Sequence, residues 1–436
     1  MKTASLFALL LCALPFAAFA EEATLQVEDV MGANPKLVEP VKNAVPTVKV
    51  APVKRWEKGD KPLTAPGFSV AAFAENLDHP RWIYVLPNGD VLVAETNAPP
   101  KPEDGKGIKG FFMKKAMKKA GAATKSANRI TLLRDADGDG TPEVREAFLE
   151  NLNSPFGMAL VGEDFYVADT DKVMKFKYTE GDTKITAGGE KLADLPGGDL
   201  NHHWTKNLVA SHDGKFLYAS VGSNSNVGEN GLEKEENRAA ILEIERATGK
   251  TRLFASGLRN PVGMDFNPAN GELWTAVNER DELGSDLVPD YMTSVKDGAF
   301  YGWPYSYYGQ HIDTRVETNA EMVAKAIPPD YALGPHTASL GLTFYTADAF
   351  GAAYKDGVFI GQHGSWNRNP PSGYKVIFIP FKDGKPAGKA ENFLNGFLDA
   401  DGNARGRPVG VAVDKKGALL VADDVGNIIW RVTTTQ

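Results

Sequence analysis

The sequence predicts an all-β protein, a six-bladed β-propeller. A strand–turn–strand phrase recurs along the chain, and repetition of that kind is the mark of radially arranged sheets. The turns draw on 44 glycines and 27 prolines, and the short runs between them are β-branched and aromatic. With 42% hydrophobic residues in a chain of 436, there is enough apolar material for a large core.

The elements follow in order. Lys2, the apolar run Ala4 to Ala18 and the small-residue close Ala18-Phe19-Ala20 read as a secretory signal peptide over residues 1–20. The expected location is therefore periplasmic or secreted. The only cysteine, Cys12, leaves with that leader, which excludes disulfides, Cys-ligated zinc and a cysteine nucleophile. Residues 21–62 carry Pro35, Pro40, Pro46, Pro52 and Pro62 and read as an extended segment wrapping the surface. Residues 63–436 hold the propeller.

Asn76–Trp82 leads to Pro87–Ala94, Asn151–Gly157 to Asp164–Ala168, and Asn207-Leu208 to Asp213–Tyr218. Gly257–Gly263 leads to Asn270–Trp274, Ser339–Phe344 to Asp356–Phe359, and Arg407–Gly410 to Lys416–Ala422. Each copy is a strand, a tight turn and a second strand, and the last would close the ring. A basic insertion, residues 101–125, interrupts the first unit. Its eight lysines and interleaved Ile108, Phe111, Phe112, Met113 and Met117 suit either a solvated loop or a helix touching a membrane surface. The net charge of −8 speaks against nucleic acid as a partner.

Chemistry concentrates just before the strands. In Asp199-Leu200-Asn201-His202-His203-Trp204, two adjacent histidines on extended backbone face opposite ways, so one can reach the channel as a base while the other packs or is solvated. Arg259-Asn260, Arg405-Gly406-Arg407 and Arg368 place planar donor forks where blades begin, which suits a polyanionic small ligand if they converge. Glu279 to Asp286 is an acidic loop with free carbonyls, suited to calcium or to solvent. Asp135 to Glu143 spaces carboxylates like half a calcium loop but lacks the full register, and a polar turn fits it better. No dinucleotide fingerprint and no Gly-x-Ser-x-Gly elbow is present.

Pro66-Gly67-Phe68 to Ala94-Glu95, Gly257 to Pro261, Asn278 to Gly284, Phe300 to Pro304 and His363 to Arg368 together resemble the sorbosone dehydrogenase family, related to the soluble quinoprotein glucose dehydrogenases and aldose sugar dehydrogenases. The resemblance covers about residues 63–434. It implies pyrroloquinoline quinone and Ca2+ as cofactors, and oxidation of an aldose or sugar aldehyde with hydride passing to quinone C5. By the five-residue spacing to Leu208, it implies His203, not His202, as the base. Arg259 would stabilise charge on the reacting oxygen; Arg259, Asn260, Arg368, Arg405 and Arg407 would bind the quinone. Glu279 and Arg280, each by its backbone oxygen, with Asp286 and Tyr301, would bind the metal. The cofactor lysine and the early-blade glutamine of the glucose enzymes have no counterpart; Arg368 stands in for the first, and Asn153 to Gly157 occupies the place of the second. No Cys-x-x-Cys-His haem site exists, so a separate electron acceptor is expected. A calcium-dependent lactonase and a non-catalytic partner-binding propeller are the competing readings.

Overall fold

The computed structural model describes residues 21–41, 47–100, 119, 121 and 124–435. The expected signal peptide and most of the basic insertion lie outside the described residues.

Six antiparallel sheets form a six-bladed β-propeller. Blade one is Pro80–Val85, Val91–Glu95, Arg129–Arg134 and Val144–Leu149; blade two is Met158–Val161, Asp164–Ala168, Lys172–Lys177 and Glu190–Asp194. Blade three is Leu208–Ala210, Phe216–Val221, Ala240–Glu245 and Thr251–Ser256. Blade four is Pro261–Phe266, Leu273–Val277, Pro289–Ser294 and Tyr331–Pro335, with Met31–Gly32 added at its edge. Blade five is Ser339–Phe344, Val358–Gln362, Lys375–Ile379 and Glu391–Asn395, with Leu63–Thr64 at its edge. Blade six joins both ends of the ring: Pro408–Val413, Leu419–Asp423 and Ile428–Thr434 are completed by Phe68–Ala74, in register from Phe68 opposite Thr434.

Burial explains the strand sequences. The second strands Val91–Glu95, Leu273–Val277, Val358–Gln362 and Leu419–Asp423 are buried at every residue, because a neighbouring blade covers each face. Outer strands such as Glu190–Asp194 and Thr251–Ser256 are largely solvated.

First strands of neighbouring blades touch around the axis, and the recurring glycine follows from that approach. A Cβ on Gly263 would lie 2.5 Å from the backbone N of Leu342, and one on Gly410 would lie 2.7 Å from the carbonyl of Arg81. The residue before that glycine points at the axis. Phe156, Val262, Leu340 and Val409 meet there in one apolar cluster with Trp82 and Trp204. Blade one places Arg81 at the equivalent position. Blade three places Lys206, since Ser220 N donates to Asn207 O as Ala168 N donates to Gly157 O.

Antiparallel pairing brings the start of each first strand and the end of each second strand to one rim: Pro80 faces Glu95, Pro261 faces Val277 and Pro408 faces Asp423. The loops from second to third strands share that rim. The N-terminal segment runs across its blade-four to blade-six side. Val41 N donates to Leu283 O, Lys49 N to Trp366 O, and Trp56 Nε1 to Asp423 Oδ2 at 2.7 Å.

Candidate functional site

The residues that open the first strands and follow the second strands meet on this rim in two linked clusters. In the first, Asp424, just past the second strand of blade six, is the hub. Its carboxylate accepts from Arg81 Nη1 at 2.7 Å and from His363 Nε2 at 2.9 Å. His79 Nδ1 donates to the Asp424 carbonyl at 2.9 Å. Burial alone would raise the Asp424 pKa, but His363, His79 and Arg81 outweigh it and hold the carboxyl well below the usual range. Burial lowers His363 to about 4, with Asp424 offsetting part of the effect, so this imidazole is neutral at pH 7.

Arg407 opens the same blade. Its backbone N donates to Asp423 Oδ1 at 2.8 Å, and its guanidinium lies 4.9 Å from the centre of the Tyr374 ring. Nε and Nη2 of Arg407 are buried without a partner, as is Nε of Arg81. Burial raises the neighbouring Asp423 to about 6, although Trp56, Gly426, Arg407 and Trp430 all donate to it.

The second cluster centres on His203. Nδ1 lies 2.8 Å from Ser223 O and 3.0 Å from Ser223 Oγ. His202 is exposed and His203 half-buried, and both lie in a bend and not on the extended backbone the sequence suggested. Gly222 lets His203 and Asn260 close up, since a Cβ there would collide with the His203 Cβ and the Asn260 Oδ1. That Asn260 oxygen is buried without a partner. Trp204 links the clusters, with the Arg81 guanidinium 5.7 Å from its ring centre.

Other residues named from the sequence are placed differently. Arg259 is 3% exposed and fully engaged: it donates to the Asn226, Asn278 and Glu279 carbonyls and to the Asn226 and Asp281 side chains. It therefore braces the acidic loop. Arg368 donates to Leu25 O and Pro370 O and pairs with Asp286 at 3.4 Å. Asp286 accepts from Thr24 N and Oγ1, each at 2.7 Å, and from Leu25 N. Both side chains thus anchor the N-terminal segment. Arg405 turns away from Arg407, toward Asp60 at 3.3 Å and the Trp56 ring.

The four positions expected to hold calcium divide: Glu279 and Arg280, expected through their backbone oxygens, stand side by side in the acidic loop, whereas the Asp286 and Tyr301 side chains have other partners. Tyr301 lies in the connection between the third and fourth strands of blade four; its backbone N donates to Ser256 O, at the end of blade three nearest this rim, while its side chain points the other way. Its hydroxyl donates to Ser294 O at 2.5 Å and accepts from Lys296 N. Ser294 is four residues from Asp290, the partner of Glu279 N, or roughly 13 Å at ~3.3 Å per strand residue. Glu279 is buried, which raises its carboxyl to about 7. Arg280 pairs with Asp313 at 2.8 Å. Asp135, Asp137, Asp139 and Glu143 do group, with ligand atoms within 4.8 Å of one another, but they sit on a turn at the opposite rim and accept from the turn's own N–H groups.

Sequence reasoning missed Arg81, His79, His363 and Asp424. One signal was available. Arg81 stands where other repeats carry Phe156, Val262, Leu340 and Val409. The donor set fits a polycarboxylate: two buried arginines with unpartnered N–H groups, an aromatic wall of Tyr374 and Trp204, and an oriented imidazole beside them. The fold and this rim define a six-bladed propeller with an anion-accepting site at one mouth of its channel.

The sequence matches the TrAA12-like family over residues 62–299 and 300–435, and the chain belongs to that family. An uncharacterized protein of Borreliella burgdorferi is 30% identical over 293 residues, 65% of this chain and 76% of that one. A pyrroloquinoline quinone-dependent pyranose dehydrogenase of Coprinopsis cinerea is 22% identical over 76% of this chain; the match spans 46% of that protein's length. The solved structure of the holo form of the pyranose dehydrogenase PQQ domain from Coprinopsis cinerea superposes with a TM-score of 0.67 at 21% identity, covering 88% of this chain and 98% of that one.

Proposed function

We propose that this chain is a pyrroloquinoline quinone-dependent dehydrogenase of an aldose or sugar aldehyde, of sorbosone type, working in the periplasm or outside the cell and passing electrons to a separate carrier. Membership of the TrAA12-like family and the quinone-dependent pyranose dehydrogenase among its relatives support the cofactor and substrate class. The observation that carries the reading is the His203–Ser223 hydrogen bond beside the arginine-lined mouth.

When bound, the quinone supplies the two-electron acceptor that no side chain provides. Arg407 and Arg81 offer N–H groups to its carboxylates, with Tyr374 and Trp204 as apolar walls. Ser223 O can only accept, so His203 Nδ1 carries a proton, and as a base the ring would act through the lone pair of Nε2. Nε2 takes the proton of the substrate hydroxyl as the carbon is oxidised. Asn260, packed against His203, bonds the adjacent oxygen. Ca2+, when bound, would be held by the backbone oxygens of Glu279 and Arg280 in the acidic loop, since the Asp286 and Tyr301 side chains have other partners.

Purified protein loaded with pyrroloquinoline quinone should reduce an artificial dye saturably with at least one of D-glucose, D-xylose and L-sorbosone. A flat, quinone-independent rate with every probe would contradict the proposal. N-terminal sequencing of the exported protein should begin at Glu21.

A further inference from the structure

Four of the six residues that ring the channel axis are apolar: Phe156, Val262, Leu340 and Val409. Blade three instead places Lys206 there, and the side chain is 0% exposed. No carboxylate pairs with it among the described residues. A buried cation without a counter-ion is costly, and four neighbouring blades show that the fold accepts an aliphatic or aromatic residue at this position. Burial and the Arg238 guanidinium push the Lys206 amine well below the ordinary lysine range. Fold stability therefore does not account for this lysine.

Its contacts do. Nζ reaches Trp204 O at 3.2 Å, His203 O at 3.3 Å and Asn201 Oδ1 at 3.4 Å. The amine nitrogen donates, and three oxygens surround it. All belong to the turn that carries His203. The same turn is closed from outside. Arg238 Nη1 donates to Asn201 Oδ1 at 3.0 Å, Asn201 Nδ2 to Thr170 Oγ1 at 2.8 Å, and Thr170 Oγ1 to Trp204 O at 2.9 Å.

We propose that Lys206 is the positioning residue for His203, gathering the carbonyls of residues 203 and 204 from beneath so that the imidazole is held against Ser223 with Nε2 toward the site. The proposal rests on the reading of His203 as the base. Lys206 touches neither substrate nor quinone in this role; it sets the peptide from which the base projects.

The test uses quinone-loaded wild type and Lys206→Met, which resembles the residues of the other blades and should fold. With the best of D-glucose, D-xylose and L-sorbosone as probe, kcat should fall about 10²-fold, since ~1 Å of misplacement costs that much. The quinone Kd should stay within about threefold and Lys206→Arg should recover part of the loss. An unchanged kcat overturns the proposal, as does a loss of quinone affinity equal to the loss of rate. Nitrogen NMR of the His203 ring supplies a readout that does not need turnover. Wild type should show one fixed tautomer protonated at Nδ1, and Lys206→Met a tautomer mixture. If His203→Ala retains full activity, the base assignment fails, and the NMR result still decides whether Lys206 orients the ring. Should Lys206→Met not fold, Asn201→Ala removes one of the three acceptors and is read by the same measurements.

Discussion

Ser223 O lies 2.8 Å from His203 Nδ1, and because a carbonyl cannot donate, this one contact fixes which ring nitrogen is available for proton transfer. The contact joins the loop after the second strand of blade three to the turn before its first strand. It exists because antiparallel pairing returns both to the same rim.

His203→Ala should therefore retain the quinone and lose turnover. A general base contributes about 10²–10⁴-fold, so kcat should drop by that factor with the quinone Kd nearly unchanged. Stopped-flow dye reduction with the loaded variant measures both quantities. Turnover equal to wild type would remove His203 from the mechanism.

Asp424 of blade six holds Arg81 and His79 from blade one and His363 from blade five. Asp424→Asn leaves a buried guanidinium without its partner and should cost about 3–5 kcal/mol in urea unfolding. A loss below about 1 kcal/mol, the scale of an exposed pair, would show that the hub is solvated.

His363 is held near 4 in the folded chain, whereas an unfolded histidine titrates near 6.5. Its folded pKa is depressed, so the neutral ring contributes stability above pH 6.5 that is lost as the pH falls toward 4. Wild type should lose up to about 3 kcal/mol relative to His363→Gln across that interval. The difference between the two proteins is the relevant measure, because raised carboxyls such as Asp423 and Glu279 act in the opposite direction over the same range. A pH-independent difference would contradict the assignment.

Gly263→Ala places a methyl 2.5 Å from Leu342 N between first strands of blades four and five. Backbone lines that wall, so relief requires the strands to part, and the melting curve should report a loss of about 1–3 kcal/mol. Gly162→Ala serves as a control for positive φ without crowding, since its Cβ would meet nothing within 4 Å. Equal losses for the two would refute the packing argument.

Asp286→Ala should free the N-terminal segment at Thr24 and Leu25 and leave Arg368 unpaired. Limited proteolysis should then cut between residues 21 and 41, with the propeller intact. Calcium should change neither the wild-type nor the variant pattern. A calcium-dependent protection that Asp286→Ala abolishes would instead make this carboxylate a metal ligand.

The six repeats were legible because each first strand carries its own local punctuation, and the glycine of Pro261-Val262-Gly263 or Pro408-Val409-Gly410 answers a close approach made at Gly157 and Gly341 as well, four of the six blades. The resemblance singled out His203 over His202 by its five-residue spacing to Leu208, and the fold sets His203 against Ser223 while leaving His202 exposed. Arg405 was not separable from Arg407 in the sequence; only the fold shows that Asp60 and Trp56 draw one of them outward. The partners that the fold gives Asp286 and Arg368 were hidden for a related reason. These partners, Thr24 and Leu25, lie more than 260 positions away in the chain, and no local pattern announces a segment that crosses blades. The Asp424 hub was missed because it draws its residues from blades one, five and six. Only a column-by-column alignment of the repeats isolates Arg81, and the same column isolates Lys206.

The central claim is that the channel mouth binds pyrroloquinoline quinone through Arg407 and Arg81. Titration of the metal-stripped protein with the quinone, followed by tryptophan fluorescence with Trp204 at the mouth, tests it most directly. The account predicts saturable one-to-one quenching in wild type and a loss of affinity of about tenfold or more in Arg407→Ala, the scale of one charge-assisted hydrogen bond. No binding in wild type, or equal affinity in Arg407→Ala, would contradict it.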